Sequence, residues 1–303
     1  MSLRFASVFA IACLLGSSAH AQQPVRVGSK IDTEGSVLGN MIVQVLEANG
    51  IQTENKVQLG TTKIVRGAIT AGEIDIYPEY TGNGAFFFSI ETDPAWKNAK
   101  AGYEKVKALD FEKNRIVWLE PAPANNTWAI AVRKDVATAN GLKSLTDLGK
   151  WVSAGGRFKL AASAEFVERP DALPAFQAAY GFKLKQDQLL TLAGGDTAVT
   201  IKAAAEGTSG VNAAMAYGTD GALAALGLVV MQDPKGIQPI YAPAPIIRAD
   251  TLAKHPKIKD VLAPVFRTLD TPTLQALNAK VALEGQDAKQ VSGAYLKSHG
   301  FIR

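Results

Sequence analysis

The sequence predicts an α/β fold, because short apolar segments typical of strands alternate with longer segments of helical spacing. From residue 25 the order is strand, helix, strand, helix, strand, which is typical of a mostly parallel sheet with helices on its faces. The same alternation resumes after Pro121. With 303 residues, 47% of them hydrophobic, the chain is long enough for one large domain or two smaller ones, and too apolar to be mainly disordered.

The first five elements are placed by apolar spacing and by residues that start or stop a helix. Thr33 or Ser36 is expected to cap the first helix, and Gly50 to end it. The predicted elements are a strand at residues 25–28, a helix from 33 to 50, a strand at 52–59, a helix from 61 to 72 and a strand at 74–76.

The second run of elements follows Pro121 and is placed in the same way. Strands are predicted at residues 128–132, 158–161 and 213–217, and helices at 144–152, 172–180 and 196–205. The tail from Leu252 onward is helical by its spacing. Proline-rich segments at 121–123 and 239–245 are expected to carry the chain between two halves. Three prolines in the second segment argue against a central strand there.

Residues 1–21 have the pattern of a cleaved secretory signal. A short positive start precedes an apolar run at 5–15, and small residues lead to a cleavage site after Ala21. Cys13 also permits a weaker interpretation as a lipidation site, and cleavage would otherwise remove this single cysteine. No later segment has eighteen consecutive apolar residues. The sequence therefore predicts an exported protein of the bacterial periplasm, without disulfides.

Charge and motifs exclude several classes of function. The formal charge is only +4, from 32 basic and 28 acidic residues without a basic cluster, which does not favour nucleic-acid binding. The chain has no Gly-x-Ser-x-Gly elbow, no phosphate loop and no His-Glu-x-x-His motif. Residues 194–197 either bind an anion at a helix start or form a plain turn and cap. We therefore expect no catalytic residues, no metal and no cofactor.

A more specific signal lies at residues 72–84. An apolar strand ends there in Tyr77, Pro78, Glu79 and Tyr80, and glycines follow that allow close approach of the backbone. Ligands of open α/β sheets bind beyond the carboxyl ends of the strands, so these aromatic residues are candidates for ligand contacts. The residues alone leave open a second interpretation, in which two tyrosines pack over a turn.

Several segments in the same order resemble a known family. They are Val27-Gly28-Ser29-Lys30 with Thr33-Glu34, then Leu59-Gly60-Thr61-Thr62, and then residues 73–82. From Val25 to the C-terminus the chain resembles the substrate-binding proteins of osmoprotectant ABC importers, the glycine betaine, choline and carnitine group. Four further segments are similar to the OsmF/YehZ-like branch of that family: residues 122–128, 161–169, 193–197 and 216–221.

The resemblance implies a type II periplasmic binding protein, in which two α/β lobes joined by a two-segment hinge close on a ligand. Residues 24–124 and 240–303 would form one lobe, and residues 125–239 the other. Such a protein would be a monomer that captures a betaine-like quaternary ammonium osmoprotectant. It would deliver this ligand to an inner-membrane permease and its ATPase. A periplasmic sensor module, or an enzyme on the same fold, is the alternative function.

Ligand chemistry explains the residue types that the resemblance assigns to the site. Aromatic faces attract a quaternary ammonium by up to about 2 kcal/mol each when desolvated. The cage positions that match the family are Tyr80, Trp128, Tyr217 and Tyr241. Basic and polar donors hold a carboxylate, and the matching positions are Lys30, Asn83 and Arg169. Each also has a plainer interpretation, as a core aromatic residue, a loop lysine or an ordinary ion pair.

Two of these positions depart from the family pattern. Many relatives have threonine where Asn83 stands, and tyrosine where Trp128 stands. Asparagine can still donate to a carboxylate, but it is larger than threonine and directs its donor differently. Tryptophan is a better partner for a cation and takes more room than tyrosine. The sequence therefore leaves open which quaternary ammonium is bound, and how tightly.

Overall fold

The computed structural model describes residues 23–303, so the predicted signal and Cys13 lie outside the described residues. The strands are β1 Val25–Lys30, β2 Thr53–Gly60, β3 Ile76–Tyr80, β4 Ile116–Trp118, β5 Trp128–Arg133, β6 Leu160–Ser163, β7 Leu189–Leu192, β8 Ala213–Tyr217, β9 Leu228–Val230 and β10 Pro243–Arg248. The helices before residue 140 are α1 Thr33–Ala48, α2 Thr62–Ala71, α3 Asn83–Phe87, α4 Ala99–Asn114 and α5 Lys134–Ala139. The later helices are α6 Leu145–Ser153, α7 Ala164–Glu168, α8 Leu173–Tyr180, α9 Thr197–Glu206, α10 Ala249–Lys254, α11 Ile258–Arg267, α12 Thr271–Ala282 and α13 Ala288–Ser298.

The strands of residues 23–303 form two five-stranded sheets with the same plan. The first sheet has the order β2-β1-β3-β10-β4, and the second has the order β7-β6-β8-β5-β9. In each sheet four strands point the same way and one is antiparallel to both of its neighbours. The antiparallel strands, β10 and β5, are those that the chain enters on crossing from the other sheet. The predicted fold class, two α/β units with mostly parallel sheets, is confirmed.

The first sheet is covered by α1, which is buried on nearly every side. This helix packs on β1 and β2 and also against α11, α12 and α13 of the C-terminal tail. Its cap is Asp32 rather than the predicted Thr33 or Ser36, because the Asp32 side chain accepts a hydrogen bond of 2.7 Å from the Gly35 N–H. The predicted end is correct, since Gly50 adopts a left-handed conformation with φ of 78°.

The proline-rich segment at 239–245 does contain a central strand, so the expectation from proline content is wrong. Strand β10 begins at Pro243 and lies between β3 and β4. Its pairing with β4 covers only Ile246 to Arg248, so both prolines lie where β4 has already ended. Their carbonyls still accept hydrogen bonds from the N–H groups of Leu119 and Ala122. The missing proline donors therefore cost the sheet no ladder bond with β4.

The two chain crossings lie side by side between the sheets, at residues 119–127 and 231–242. The Asn126 N–H donates to the Tyr241 carbonyl at 2.9 Å, and the Tyr241 N–H donates to Asn125 Oδ1 at 2.8 Å. Paired crossings of this kind suit a two-segment hinge. No helix within residues 23–303 is both long and apolar enough to cross a membrane.

Candidate functional site

The four predicted aromatic residues meet between the two sheets. Tyr80 ends β3, Trp128 begins β5, Tyr217 ends β8, and Tyr241 lies in the second crossing. Trp128 and Tyr217 are directly paired across β5 and β8, and their ring centroids are 4.8 Å apart. Tyr80, Trp128 and Tyr241 are buried, and Tyr217 is half-buried. The strand ends therefore bring the predicted cage residues of both sheets to one place.

These four residues line a cavity of about 20 Å³ whose other lining residues are Lys30, Asp32, Thr62, Asn83 and Asn126. Six of the seven predicted site residues are therefore in its wall. The seventh, Arg169, is behind the wall, where its guanidinium group lies 5.9 Å from the centroid of Trp128. It also donates a 2.9 Å hydrogen bond to Asn83 Oδ1.

Lys30 and Asn83 both hold the side chain of Glu79, which is completely buried. Glu79 Oε1 forms an ion pair with Lys30 Nζ at 2.8 Å, and it accepts hydrogen bonds from Asn83 Nδ2 at 2.7 Å and from the Tyr80 N–H at 2.7 Å. The second oxygen accepts from the Tyr77 hydroxyl at 2.8 Å. Two donors predicted to bind a ligand carboxylate are thus engaged by a carboxylate of the protein itself.

Arg169 is engaged in the same way. It makes a two-pronged pair with Asp171, at 2.9 and 2.6 Å, and a further ion pair with Glu165 at 3.0 Å. Its guanidinium group stacks on Phe86 at 4.3 Å from the ring centroid. Burial opposes the charge of Arg169, but the hydrogen bonds and charge of Asp171 outweigh it and raise its pKa. Arg169 is therefore a fixed positive charge.

The size of the cavity limits what this arrangement can hold. A volume of about 20 Å³ is enough for about one water molecule. A quaternary ammonium carries four carbon substituents and needs several times that space. Its entry requires the walls to move apart, and the paired crossings between the sheets provide the place for such a movement.

Comparison with known proteins identifies the family. Residues 23–298 match the model of a family described as the substrate-binding domain of the ABC-type glycine betaine transport system. The chain belongs to this family. It is 68% identical over 283 residues to the glycine betaine-binding protein YehZ of Escherichia coli K12, with 93% of each chain covered. The solved structure of apo YehZ covers 93% of this chain and 100% of its own, with a TM-score of 0.67.

Two further relatives extend the comparison. A glycine-betaine-binding protein of Pseudomonas aeruginosa PAO1 is 30% identical over 299 residues, covering 97% of this chain and 93% of its own. The crystal structure of a glycine betaine/carnitine/choline ABC transporter is 22% identical and matches the fold, with a TM-score of 0.70 over 92% of this chain and 100% of its own. The resemblance to osmoprotectant importers and their YehZ-like branch is confirmed.

Membership of the glycine betaine transport family has direct consequences. Its members are substrate-binding components of ABC importers, which take a small-molecule ligand and work with a permease and an ATPase. The family is one of periplasmic binding proteins, which implies a periplasmic location. It is a family of transport proteins and not of enzymes. Within residues 23–303, no group of histidine, cysteine, aspartate and glutamate side chains could hold a metal ion.

Glu34 belongs to a segment that resembles the family, but the sequence did not assign it a role at the site. Its carboxylate is buried and accepts hydrogen bonds from the Tyr80 hydroxyl at 2.9 Å, Asn126 Nδ2 at 3.0 Å and Asn278 Nδ2 at 2.7 Å. It thus ties the cage to the first crossing and to α12. A glutamate four residues beyond the strand-end lysine was the available signal, but a first-turn acid is ordinary in a helix.

The segment at 194–197, left open by the sequence, forms a turn and a cap. Asp196 caps α9 by accepting from the Ala198 N–H at 3.1 Å. The same oxygen accepts from the Thr33 hydroxyl at 3.2 Å. This hydrogen bond joins the start of α9, which packs on the second sheet, to the start of α1, which packs on the first. An acidic cap at this helix start favours the cap interpretation over the anion-binding one.

Two carboxylates, Asp32 in the cavity wall and Asp220 in the loop after β8, predict an unusual dependence of stability on pH. Removal from water is the largest cause that raises the pKa of Asp32 and of Asp220 to about 7. Unfolded aspartate titrates near 3.9, so between pH 4 and 7 the folded protein binds more protons than the unfolded chain. The free energy of unfolding should therefore fall as the pH rises from about 4 to 7, and change little from this cause above 7.

Thermal unfolding measured from pH 5 to pH 8 checks this expectation. The melting temperature should be higher at pH 5 than at pH 8, and the slope should be smaller in Asp32→Asn and Asp220→Asn. A melting temperature that rises over this range in the wild-type protein would contradict it.

Proposed function

We propose that this protein captures a betaine-like quaternary ammonium osmoprotectant and delivers it to an ABC importer. The observation that carries the proposal is the meeting of Tyr80, Trp128, Tyr217 and Tyr241 around one cavity at the ends of strands from both sheets. A quaternary ammonium has no N–H donor, so aromatic faces rather than hydrogen-bond acceptors suit it. The glycine betaine-binding relatives from two bacteria support the same ligand class.

The proposal includes the arrangement of the ligand. Its ammonium group would lie among the aromatic rings, and a carboxylate would face Lys30, Asn83 and Arg169. To reach these donors, it must share or displace the contacts that they make with Glu79 and Asp171. Closure would rotate two lobes about the paired crossings, with residues 24–124 and 240–303 in one lobe and residues 125–239 in the other.

The proposal also covers the form in which the protein works. The signal at residues 1–21 would be removed after Ala21, and the exported chain would act as a monomer. It would perform no chemistry on its ligand. The permease would recognise the closed arrangement of the two lobes, which the bound ligand stabilises by contacts from both.

Calorimetric titration of the signal-free protein, residues 22–303, tests the function. Glycine betaine, choline, proline betaine and carnitine are the ligands to compare, and at least one should bind with a Kd in or below the millimolar range. Absence of binding of all four at millimolar concentration would refute the cage.

Tryptophan emission provides a second readout. Ligand addition should change the emission of the wild-type protein, and this change should be lost in Trp128→Phe. Trp151→Phe is the matched control, because Trp151 packs on Phe158 and not in the wall of the cavity. An unchanged ligand response in Trp128→Phe would remove Trp128 from the site.

A further inference from the structure

Asp32 stands in the wall of the cavity and is not among the residues assigned above to the ligand. It lies two residues beyond the end of β1 and directly before α1, and the residue is more than nine-tenths buried, at 8% exposure. Oδ1 caps α1 by accepting from the Gly35 N–H at 2.7 Å. Oδ2 accepts no hydrogen bond from any residue between 23 and 303. One carboxylate oxygen of Asp32 thus caps the helix, and the other is available to interact with a ligand.

The charges that face Asp32 compensate its own charge only in part. Lys30, two residues earlier, favours the charged form of Asp32, but its ammonium group is itself paired with Glu79 at 2.8 Å. The other charged groups that act on Asp32 are Glu34 of its own helix and Asp196 at the start of α9, and both carry the same sign. A free carboxylate among aromatic rings is costly unless a cation joins it.

The remaining wall indicates what kind of cation fits. The aromatic side chains Tyr80 and Tyr217 both feel the charge of Asp32, which raises the pKa of each hydroxyl in addition to the larger effect of burial. Aromatic faces beside a carboxylate attract a cation by two electrostatic effects at once. A quaternary ammonium suits this wall, because its methyl groups contact the rings while its charge lies near the carboxylate.

We propose that Asp32 is a further ligand-binding residue, whose free oxygen supplies the counter-charge to the quaternary ammonium group in the aromatic cage. This inference rests on the proposed function. It also predicts a ranking of ligands. Choline carries only the positive charge, whereas the carboxylate of glycine betaine is repelled by Asp32. Choline should therefore depend on Asp32 more strongly than glycine betaine does.

Calorimetric titration of Asp32→Asn at pH 8 with choline and with glycine betaine tests the inference. Asparagine keeps an oxygen for the helix cap and loses the charge. Choline affinity should fall about ten- to a hundred-fold, and glycine betaine affinity by less. Asp287→Asn is the matched control, because Asp287 caps α13 through the Gln290 N–H and does not line the cavity, and it should bind both ligands like the wild type.

A pH series separates a charge effect from a structural one. Choline has no group that titrates between pH 6 and pH 8. A change in its affinity over this range therefore comes from titration of the protein. Choline affinity of the wild-type protein should rise over this range, and that of Asp32→Asn should rise much less. Residual dependence in the variant would come from Asp220, whose two oxygens are held by Thr197 and the Tyr217 N–H.

The failures of the two proposals are distinguishable. If the wild-type protein binds choline or glycine betaine and Asp32→Asn binds both equally well, Asp32 serves only the helix cap and the inference is overturned. Equal losses for both ligands with the same pH profile as the wild type would overturn it as well. If the wild-type protein binds no quaternary ammonium, the proposed function fails, and the inference fails with it.

Discussion

Replacement of Arg169 by alanine is expected to lower the free energy of unfolding by about 3–5 kcal/mol, the range for breaking a buried ion pair by removing one partner. Arg169 is 2% exposed, and Asp171, which it holds with two hydrogen bonds, is 7% exposed. Without the guanidinium group, Asp171 remains buried without its partner. Asn83 and Glu165 lose a donor at the same time.

Arg267→Ala is the matched control for this change. Arg267 makes the same two-pronged contact, with Glu120 at 2.7 and 2.6 Å, but its side chain is 60% exposed. Exposed pairs contribute about 0–1 kcal/mol, so its loss should be hard to detect. Urea denaturation of the three proteins at pH 7 measures both effects. Equal stability of the two variants would show that burial does not decide the contribution of Arg169.

The contacts of Arg169 show which parts of the site could be predicted from the sequence and which could not. Only the resemblance assigned Arg169 to the site, through the segment at residues 161–169, which is a local signal in the chain. Its pairing with Asp171 and Glu165 is also local, since both lie within four residues. Its contact with Asn83 spans 86 positions in the chain and depends on how the two halves meet. Spacing within one element carries no information of that kind.

Glu79 shows the same limit more sharply. The sequence places it between two aromatic residues at a strand end, where it looks like part of a turn. In the fold it is completely buried and gathers Lys30, Asn83 and Tyr77 around one carboxylate. Lys30 belongs to the neighbouring strand, and Asn83 begins the next helix. Glu79 and a ligand carboxylate would compete for Lys30 and Asn83. This competition follows from how the strands pair, which the sequence does not show.

Strand β10 shows a different limit, because a general rule about proline in strands does not hold there. Proline is rare in central strands since it cannot donate to a neighbour. Strand β10 is central, yet β4 is only three residues long and ends before Pro245 and Pro243 are reached. The rule applies only where a neighbouring strand is present to accept the hydrogen bond that proline cannot donate. The sequence did not show where the neighbouring strand β4 ends.

The contacts between the halves explain how a ligand and the fold influence one another. Glu34 of α1 accepts from Asn126 in the first crossing and from Asn278 in α12, and Asn278 also donates to the Thr219 carbonyl at 3.0 Å. The Tyr80 hydroxyl of the cage donates to the same carboxylate. A movement of the loop after β8 away from α12 would therefore disturb the partner that orients a cage residue.

Replacement of Gly221 by alanine is expected to weaken ligand binding by about 5- to 150-fold, which corresponds to an overpacking cost of about 1–3 kcal/mol. Gly221 lies in the loop after β8 and packs against α12, which belongs to the other half. A Cβ atom there would lie far inside contact distance of the Gln275 carbonyl oxygen, and 3.0 Å from the Cβ of Ala279. A backbone carbonyl within a helix cannot turn aside, so the strain is relieved by separating the halves.

Gly195→Ala is the control, because Gly195 is in a loop of the same half and its added Cβ would meet no atom within 4 Å. Calorimetric titration gives the affinity, and small-angle scattering gives the radius of gyration with saturating ligand. We expect weaker binding and a larger radius for Gly221→Ala alone. Wild-type affinity in that variant would mean that the bound form does not bring this loop against α12. Weaker binding with an unchanged radius would instead mean that Gly221 acts through Tyr217, four residues earlier in the chain, and not through closure.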